Sequence, residues 1–275
     1  LSPKPNHHIV FGGDIFQELG SSFTIDRFDF IAYYLAHTPY LQAGIGLLPR
    51  NQTYTLPRIL IEDSISYHRP SIQGILLTFF YQQGYQEIWI DWTTKQTSKT
   101  KETFLVSLNG TLENERFFLK NYCTYYHVAG YADPKKAFNI RDNGGGGFAF
   151  GYHNQSVALL DSIELSVEVI GSYNRIRQKT NGQPRVGSII TATVQKHWFS
   201  LTGLGYYGEK HTIAHGDNFY HHNSYGRFDL TFTPIQTSKI HSFFSWTTHI
   251  SEGKVYNEQR FIISGVFSHG LRSKQ

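Results

Sequence analysis

The chain has 275 residues, of which 40% are hydrophobic and 16% aromatic, with a formal charge of +4 and a single cysteine, Cys123. One cysteine excludes an internal disulfide, and the charge excess is too small and scattered to imply a nucleic-acid partner. No apolar run reaches the ~18 residues of a membrane helix; the longest, residues 74–81, has eight and contains Thr78.

The apolar fraction lies below the ~45–50% of an ordinary globular domain. A barrel in lipid needs apolar residues only on a band ~25 Å tall, with aromatic girdles at its rims. The opening Leu1-Ser2-Pro3-Lys4-Pro5-Asn6 is a polar lead-in that suits a mature terminus, so export with a cleaved signal peptide is expected.

Amphipathic helical periodicity is absent, whereas alternation with a period of two recurs along the chain. In chain order it predicts strands over residues 8–16, 28–35, 40–48, 59–67, 72–81, 86–92, 103–109 and 117–127. Further strands are predicted over 163–171, 188–194, 197–207, 225–233, 240–250 and 258–268. The strand at 103–109 is expected to end at Asn109-Gly110, a strong turn signal. Short connections alternate with long ones, as in outer-membrane barrels.

The expectation is one all-β domain over residues 1–275, a closed antiparallel transmembrane β-barrel of about fourteen strands, with twelve or sixteen still open. Residues 131–160 stand apart, with Asp133-Pro134, Arg141-Asp142-Asn143 and the four glycines 144–147. A structureless stretch this long is uncommon unless functional or disordered. It reads as a surface loop or as a loop folded into the lumen, where Arg141, Asp142 and Asn143 could form a constriction.

The alternation separates two faces. Ile163, Leu165, Val167 and Val169 oppose Glu164, Ser166 and Glu168; Ile88, Ile90 and Trp92 oppose Glu87, Trp89 and Asp91; Phe228, Leu230 and Phe232 oppose Arg227, Asp229 and Thr231. An Arg or Lys facing lipid would cost ~2–4 kcal/mol at mid-membrane. Glu87, Asp91, Glu102, Glu164, Glu168, Arg227, Asp229 and Arg260 are therefore expected to line the lumen. A soluble sandwich would turn the same charges to solvent instead. Trp89, Trp92, Trp198 and Trp246 fall in strands, and Tyr33, Tyr34, Tyr40, Tyr67, Tyr206 and Tyr207 near strand ends, as interface girdles require.

Chemistry-bearing motifs are few. His211, His215, His221 and His222 surround Asp217 and could hold Zn²⁺ if three imidazoles converged. His222-Asn223-Ser224 places a base and a nucleophile on one face of a strand; outer-membrane phospholipases place a His and a Ser this way on a barrel wall. Such a pair needs a third group to orient the His, for which Asp217 and Asp229 are nearest in sequence. Tyr225 stands where the phospholipase motif has Asn. Ser64 and His68, read on a strand, would lie ~13 Å apart, too far for a direct pair. No P-loop, G-x-G-x-x-G between strand and helix, H-E-x-x-H or C-x-x-C occurs, and no cofactor is expected.

The stretches Ser66-Tyr67-His68-Arg69-Pro70-Ser71-Ile72-Gln73-Gly74, Gly84-Tyr85-Gln86-Glu87-Ile88-Trp89-Ile90-Asp91-Trp92 and Lys101-Glu102-Thr103-Phe104-Leu105-Val106 resemble uncharacterised, porin-like outer-membrane barrels of Bacteroidota. The likeness in pattern covers essentially the whole chain. One departure is the polar tail that follows Phe267, where such barrels often end on an aromatic. The resemblance implies an integral outer-membrane protein in contact with membrane lipid. The leading expectation is a passive channel for small solutes. The alternatives are a plugged barrel that partners other outer-membrane proteins, and a barrel-wall lipid hydrolase using His222 and Ser224. A soluble β protein is the residual class.

Overall fold

The computed structural model describes every residue except 1–5, 18–19, 21, 23–24, 51–52, 134–138, 158, 238–239 and 266–275. It forms a single meandering antiparallel sheet of fourteen strands in sequence order. They are β1 (His7–Phe16), β2 (Arg27–His37), β3 (Leu41–Pro49), β4 (Ser71–Tyr81), β5 (Gly84–Thr94), β6 (Thr103–Glu113) and β7 (Phe117–Val128). Then come β8 (Arg141–Val157), β9 (Leu160–Ile176), β10 (Pro184–Lys196), β11 (Phe199–Gly208), β12 (Ser224–Gln236), β13 (Ile240–Ser251) and β14 (Lys254–Gly265).

Two sequence expectations failed in opposite directions. Residues 59–67 are not a strand; they belong to an inward-folded segment that ends in the four-residue helix α1 (Ile65–His68). Residues 141–157, expected in a loop, form β8, which pairs with β7 and β9 along its length. The count of fourteen survives because one strand replaced the other. Asn109-Gly110 is no turn either, since β6 runs through it to Glu113. The tail from Ser268 lies outside the described residues.

Each strand turns apolar side chains outward. Phe11, Phe30, Ile45, Phe79, Trp92, Phe148, Val167, Ile190, Leu201, Leu230, Trp246 and Ile263 are exposed, while their strand neighbours face inward. Glu87, Trp89 and Asp91 alternate with exposed Ile88 and Trp92 and are 0%, 2% and 0% exposed. The burial is thus the reverse of a soluble sandwich, whose apolar faces meet inside. Of the residues expected in aromatic girdles, Trp89, Tyr33 and Tyr206 are buried within, whereas Tyr40, Trp198 and Tyr207 are exposed near strand ends.

The sheet curls around its contents. A flat sheet of fourteen strands would be roughly 60 Å wide, yet one cavity of about 290 Å³ is lined by Tyr85 of β5, Glu164 of β9 and Arg227 of β12 together. The ladders among the described residues run from β1 to β14, and none of them joins β14 back to β1. A curled fourteen-stranded sheet is therefore what the pairings show, a coarser result than the closed barrel expected.

Residues 53–69 and 209–223, two of the long connections, fold into this interior and bond to each other. Glu62 N donates to His215 O, and Asp217 N to Arg58 O. Leu56, Ile59, Leu60, Ile213 and Tyr220 are buried there in the core. Tyr54 stacks on Tyr85 at 3.5 Å between centroids and donates its N–H to Glu87 Oε1 at 3.1 Å. Asn143 clasps the second segment from the wall, donating to Thr212 O and accepting from Ala214 N. Gly145 makes room for it: a Cβ there would meet Ile213 Cδ1 at 2.7 Å and Leu60 Cδ2 at 3.2 Å.

Buried charge inside meets either an opposite charge or hydrogen-bond donors, as Glu87 does with Tyr54 N, Thr78 Oγ1 and Asn109 Nδ2. Arg50 Nη2 lies 2.6 Å from Asp91 Oδ2, with Arg69 Nη2 3.7 Å from the other oxygen. Arg58 reaches Asp217 at 2.9 Å, Asp63 at 3.5 Å and Glu258 of β14 at 4.0 Å. Asp91→Ala leaves the Arg50 guanidinium buried without its carboxylate and is expected to destabilise the chain by ~3–5 kcal/mol, read by urea unfolding of the refolded protein.

His211 and His215, in the second inner segment, both have lowered pKa values. Burial is the main cause for each; Arg185 adds to it at His211 against Glu209, and Arg69 and Arg50 add to it at His215 against Asp91. The folded state then binds fewer protons than the unfolded one, so stability rises with pH across this window. The contribution is complete above the ordinary His value of ~6.5 and is lost as pH falls below it. Protection factors of the amides in residues 209–217, corrected for the intrinsic pH dependence of exchange, are expected to fall between pH 7 and pH 5, with those of β9 and β10 unchanged.

Candidate active site on the outer wall

The expected lumen residues fall largely inside. Glu164, Glu168 and Arg227 line the 290 Å³ cavity, with Tyr122 hydrogen-bonded to Glu168. Asp229 accepts from Arg227 Nε at 2.8 Å and Thr247 Oγ1 at 2.6 Å, and Arg260 Nη1 lies 3.2 Å from Asp63. Glu87 and Asp91 are sealed against the first inner segment. Glu102 precedes β6, is half-buried, and has the parity of that strand's outward residues.

The proposed constriction is not a loop. Arg141, Asp142 and Asn143 open β8, with Arg141 Nε donating to Asn174 Oδ1 at 3.1 Å and Asn143 holding the inner segment. Asp142 lies on the outward parity. It accepts from Tyr125 Oη at 2.6 Å and Arg177 Nε at 2.7 Å, and lies 3.0 Å from His127 Nδ1. Ser64 and His68 share one helical turn, where Ser64 O accepts from His68 N.

The four histidines around Asp217 diverge. Ser172 Oγ lies 2.6 Å from His211 Nδ1, His215 packs edge-on against Tyr126, and His221 ends a 3₁₀ turn. Asp217 caps that turn through Phe219 N and pairs with Arg58. Among the described residues no group of three or more His, Cys, Asp or Glu is placed to hold a metal ion.

His222 and Ser224 stand at the long-loop end of β12. His222 is extended, with φ −108° and ψ 161°. Asn223 is tied twice to Gly208, its carbonyl accepting from Gly208 N and its amide donating to Gly208 O, both at 2.9 Å. An extended backbone sends alternate side chains the same way. Ser224 therefore shares its face with the exposed Phe228 and Leu230, and His222 continues that parity.

Neither Asp217 nor Asp229 orients His222. That carboxylate is Glu252, whose Oε1 lies 2.8 Å from His222 Nδ1. Glu252 and Gly253 form the β13–β14 turn with φ +51° and +75°, the left-handed pair of a two-residue hairpin turn. A carboxylate on Nδ1 leaves Nε2 as the acceptor for a nucleophile's proton. Ser224 Oγ and His222 are not hydrogen-bonded to each other here; such contacts often tighten only with substrate. Ser224 is opposite Tyr207 in the β11–β12 ladder, and that ring is 78% exposed.

Sequence reasoning missed Glu252 because it lies twenty-eight positions after Ser224. Only the register, Tyr225 opposite Ser251, brings it beside His222. Its signal in the sequence was the Glu-Gly turn between two alternating runs.

Glycine adopts the left-handed turn without the steric penalty of a glutamate, ~1–2 kcal/mol. Glu252→Gly is therefore expected to raise stability slightly in urea unfolding, while losing the partner of His222.

The comparisons narrow the porin-like resemblance. The family model for lipid A 3′-O-deacylase-type proteins matches residues 1–260, and nothing in that match is specific to porins. No curated protein matches the chain. Since the match runs from the first strand into the last, the chain belongs to the lipid A 3′-O-deacylase-type family.

Proposed function

We propose that the chain is an outer-membrane hydrolase that removes an ester-linked acyl chain from a lipid A-type lipid, using Ser224, His222 and Glu252 on its outer wall. The observation that carries this reading is the His222–Glu252 pair, in line with Ser224 on the outward face. The pair sits at the end of an apolar wall of Phe228, Leu230, Trp246 and Ile250. Acyl chains would lie along that wall, with the ester at its rim.

In this mechanism Ser224 Oγ attacks the ester carbonyl as His222 Nε2 takes its proton. Glu252 holds the ring and stabilises the imidazolium. The Tyr207 hydroxyl, whose residue is opposite Ser224 in the ladder, would donate to the developing oxyanion. Collapse breaks the ester bond, and the sugar oxygen leaves with the proton from His222. Water, activated by the same imidazole, then releases the fatty acid and restores Ser224.

The wall would close through a β14–β1 seam, since an open edge in hydrocarbon leaves backbone groups without partners. The long loops would face outward from the cell, where lipid A lies. The filled interior supports a plugged barrel over a solute channel.

Ser224→Ala is expected to lower deacylation of lipid A in mixed micelles by ~10³-fold or more, and Glu252→Gln by ~10²–10⁴-fold. Mass spectrometry of the lipid product reads both. Full activity in a folded Ser224→Ala protein, judged by heat-modifiable migration, would overturn the assignment.

A further inference from the structure

The His222–Ser224 wall leaves one outward cluster unused, on β6 to β9, three to six strands away around the sheet. Across β6 to β9 the register sets Phe104, His127, Asp142 and Arg175 in one row. Asp142 is saturated by Tyr125, His127 and Arg177. Arg177 Nε and Nη2 both serve Asp142. Arg175 is exposed and has no partner among the described residues, and Lys179 is exposed just beyond. Arg175, Arg177 and Lys179 stand on the β9 side of this rim against Asp142, which is already committed, while Glu102 lies on the far side before β6.

Below that row the wall thins to glycine: Gly144 is buried between its neighbours, and Gly146 and Gly171 are half-buried. The next row inward is Tyr125, Gly144 and Tyr173, and the one after it Cys123, Gly146, Gly171 and Val186. Two half-exposed tyrosine rings therefore flank a strip without side chains, which ends on exposed Phe148 and Val169. Gly144 and Gly146 are required by the wall itself: a Cβ would lie 2.3 Å from Thr124 O and 2.7 Å from Tyr122 O respectively. Gly171 is different. A Cβ there would meet nothing closer than 3.7 Å, so packing does not demand the gap it leaves.

We propose that this face binds one anionic acylated lipid, its phosphate on Arg175 and the free edge of Arg177, and one acyl chain along the wall over Gly146 and Gly171. Charge complementarity selects the occupant: the cations stand at the rim and the apolar strip runs away from them along the wall. This rests on the outward face meeting lipid, and not on the catalytic role of Ser224. The site is a second lipid position, because β8 and β12 face different directions on the curled sheet.

The test uses the full chain carrying Ser224→Ala, so that bound lipid stays intact, and reads retained lipid by native mass spectrometry from detergent micelles. The probes are phosphatidylglycerol, a bis-phosphorylated acylated disaccharide, and zwitterionic phosphatidylcholine. One tightly held anionic lipid and little phosphatidylcholine are expected. Arg175→Gln should weaken anionic binding roughly tenfold. Gly171→Leu fills the strip without a backbone clash and should abolish retention, with heat-modifiable migration unchanged.

Equal binding by wild type and both variants, or equal retention of phosphatidylcholine, would overturn the site and leave ordinary boundary lipid. Failure of the chain to insert into vesicles at all would instead remove the lipid-facing reading of the wall.

Discussion

The outward turn of apolar side chains along the strands is the constraint on which the rest of the structure depends. A strand has two faces, and here the outer one carries Phe, Leu, Ile and Val while the inner one mixes Glu, Asp, Thr and Asn with buried Leu76, Trp89, Leu105 and Ile170. An apolar exterior needs lipid, and a polar interior needs partners for its charges. Both demands shape everything added to the wall.

The interior demand is met by two long connections that turn inward. They bring Arg50 to Asp91, Arg58 to Asp217 and the Tyr54 amide to Glu87, so buried charge meets opposite charge or a hydrogen bond. The glycine run of β8 serves the same end. On its inner face Gly145 admits Ile213 and Leu60; on its outer face Gly144 and Gly146 let β7 and β8 approach. A stretch that lacks side chains is thus a structural strand, held by backbone pairing on both edges.

That explains where the sequence misled. Hydrophobic periodicity cannot register a strand made of glycines, so residues 141–157 read as a loop. Residues 59–67 alternate because Ile59, Ile61 and Ile65 pack inward from an irregular segment, and a short alternating run cannot be told from a strand by pattern alone. Asn109-Gly110 carried a turn signal, but Asn109 donates its amide to buried Glu87 and the ladder continues past it. In each case a tertiary partner overrode a local preference.

What the sequence determined by itself was the class: all-β, antiparallel, apolar on one face, with His222 and Ser224 on a shared face. These follow from the period of two, which is a property of the extended backbone alone. Which face turns outward, which loops fill the interior, and which carboxylate meets His222 were decided only by the tertiary structure. Glu252 reaches His222 because the β12–β13 register sets Tyr225 opposite Ser251. Register is a relation between strands, fixed by pairing and packing across the sheet, and no single strand's sequence contains it.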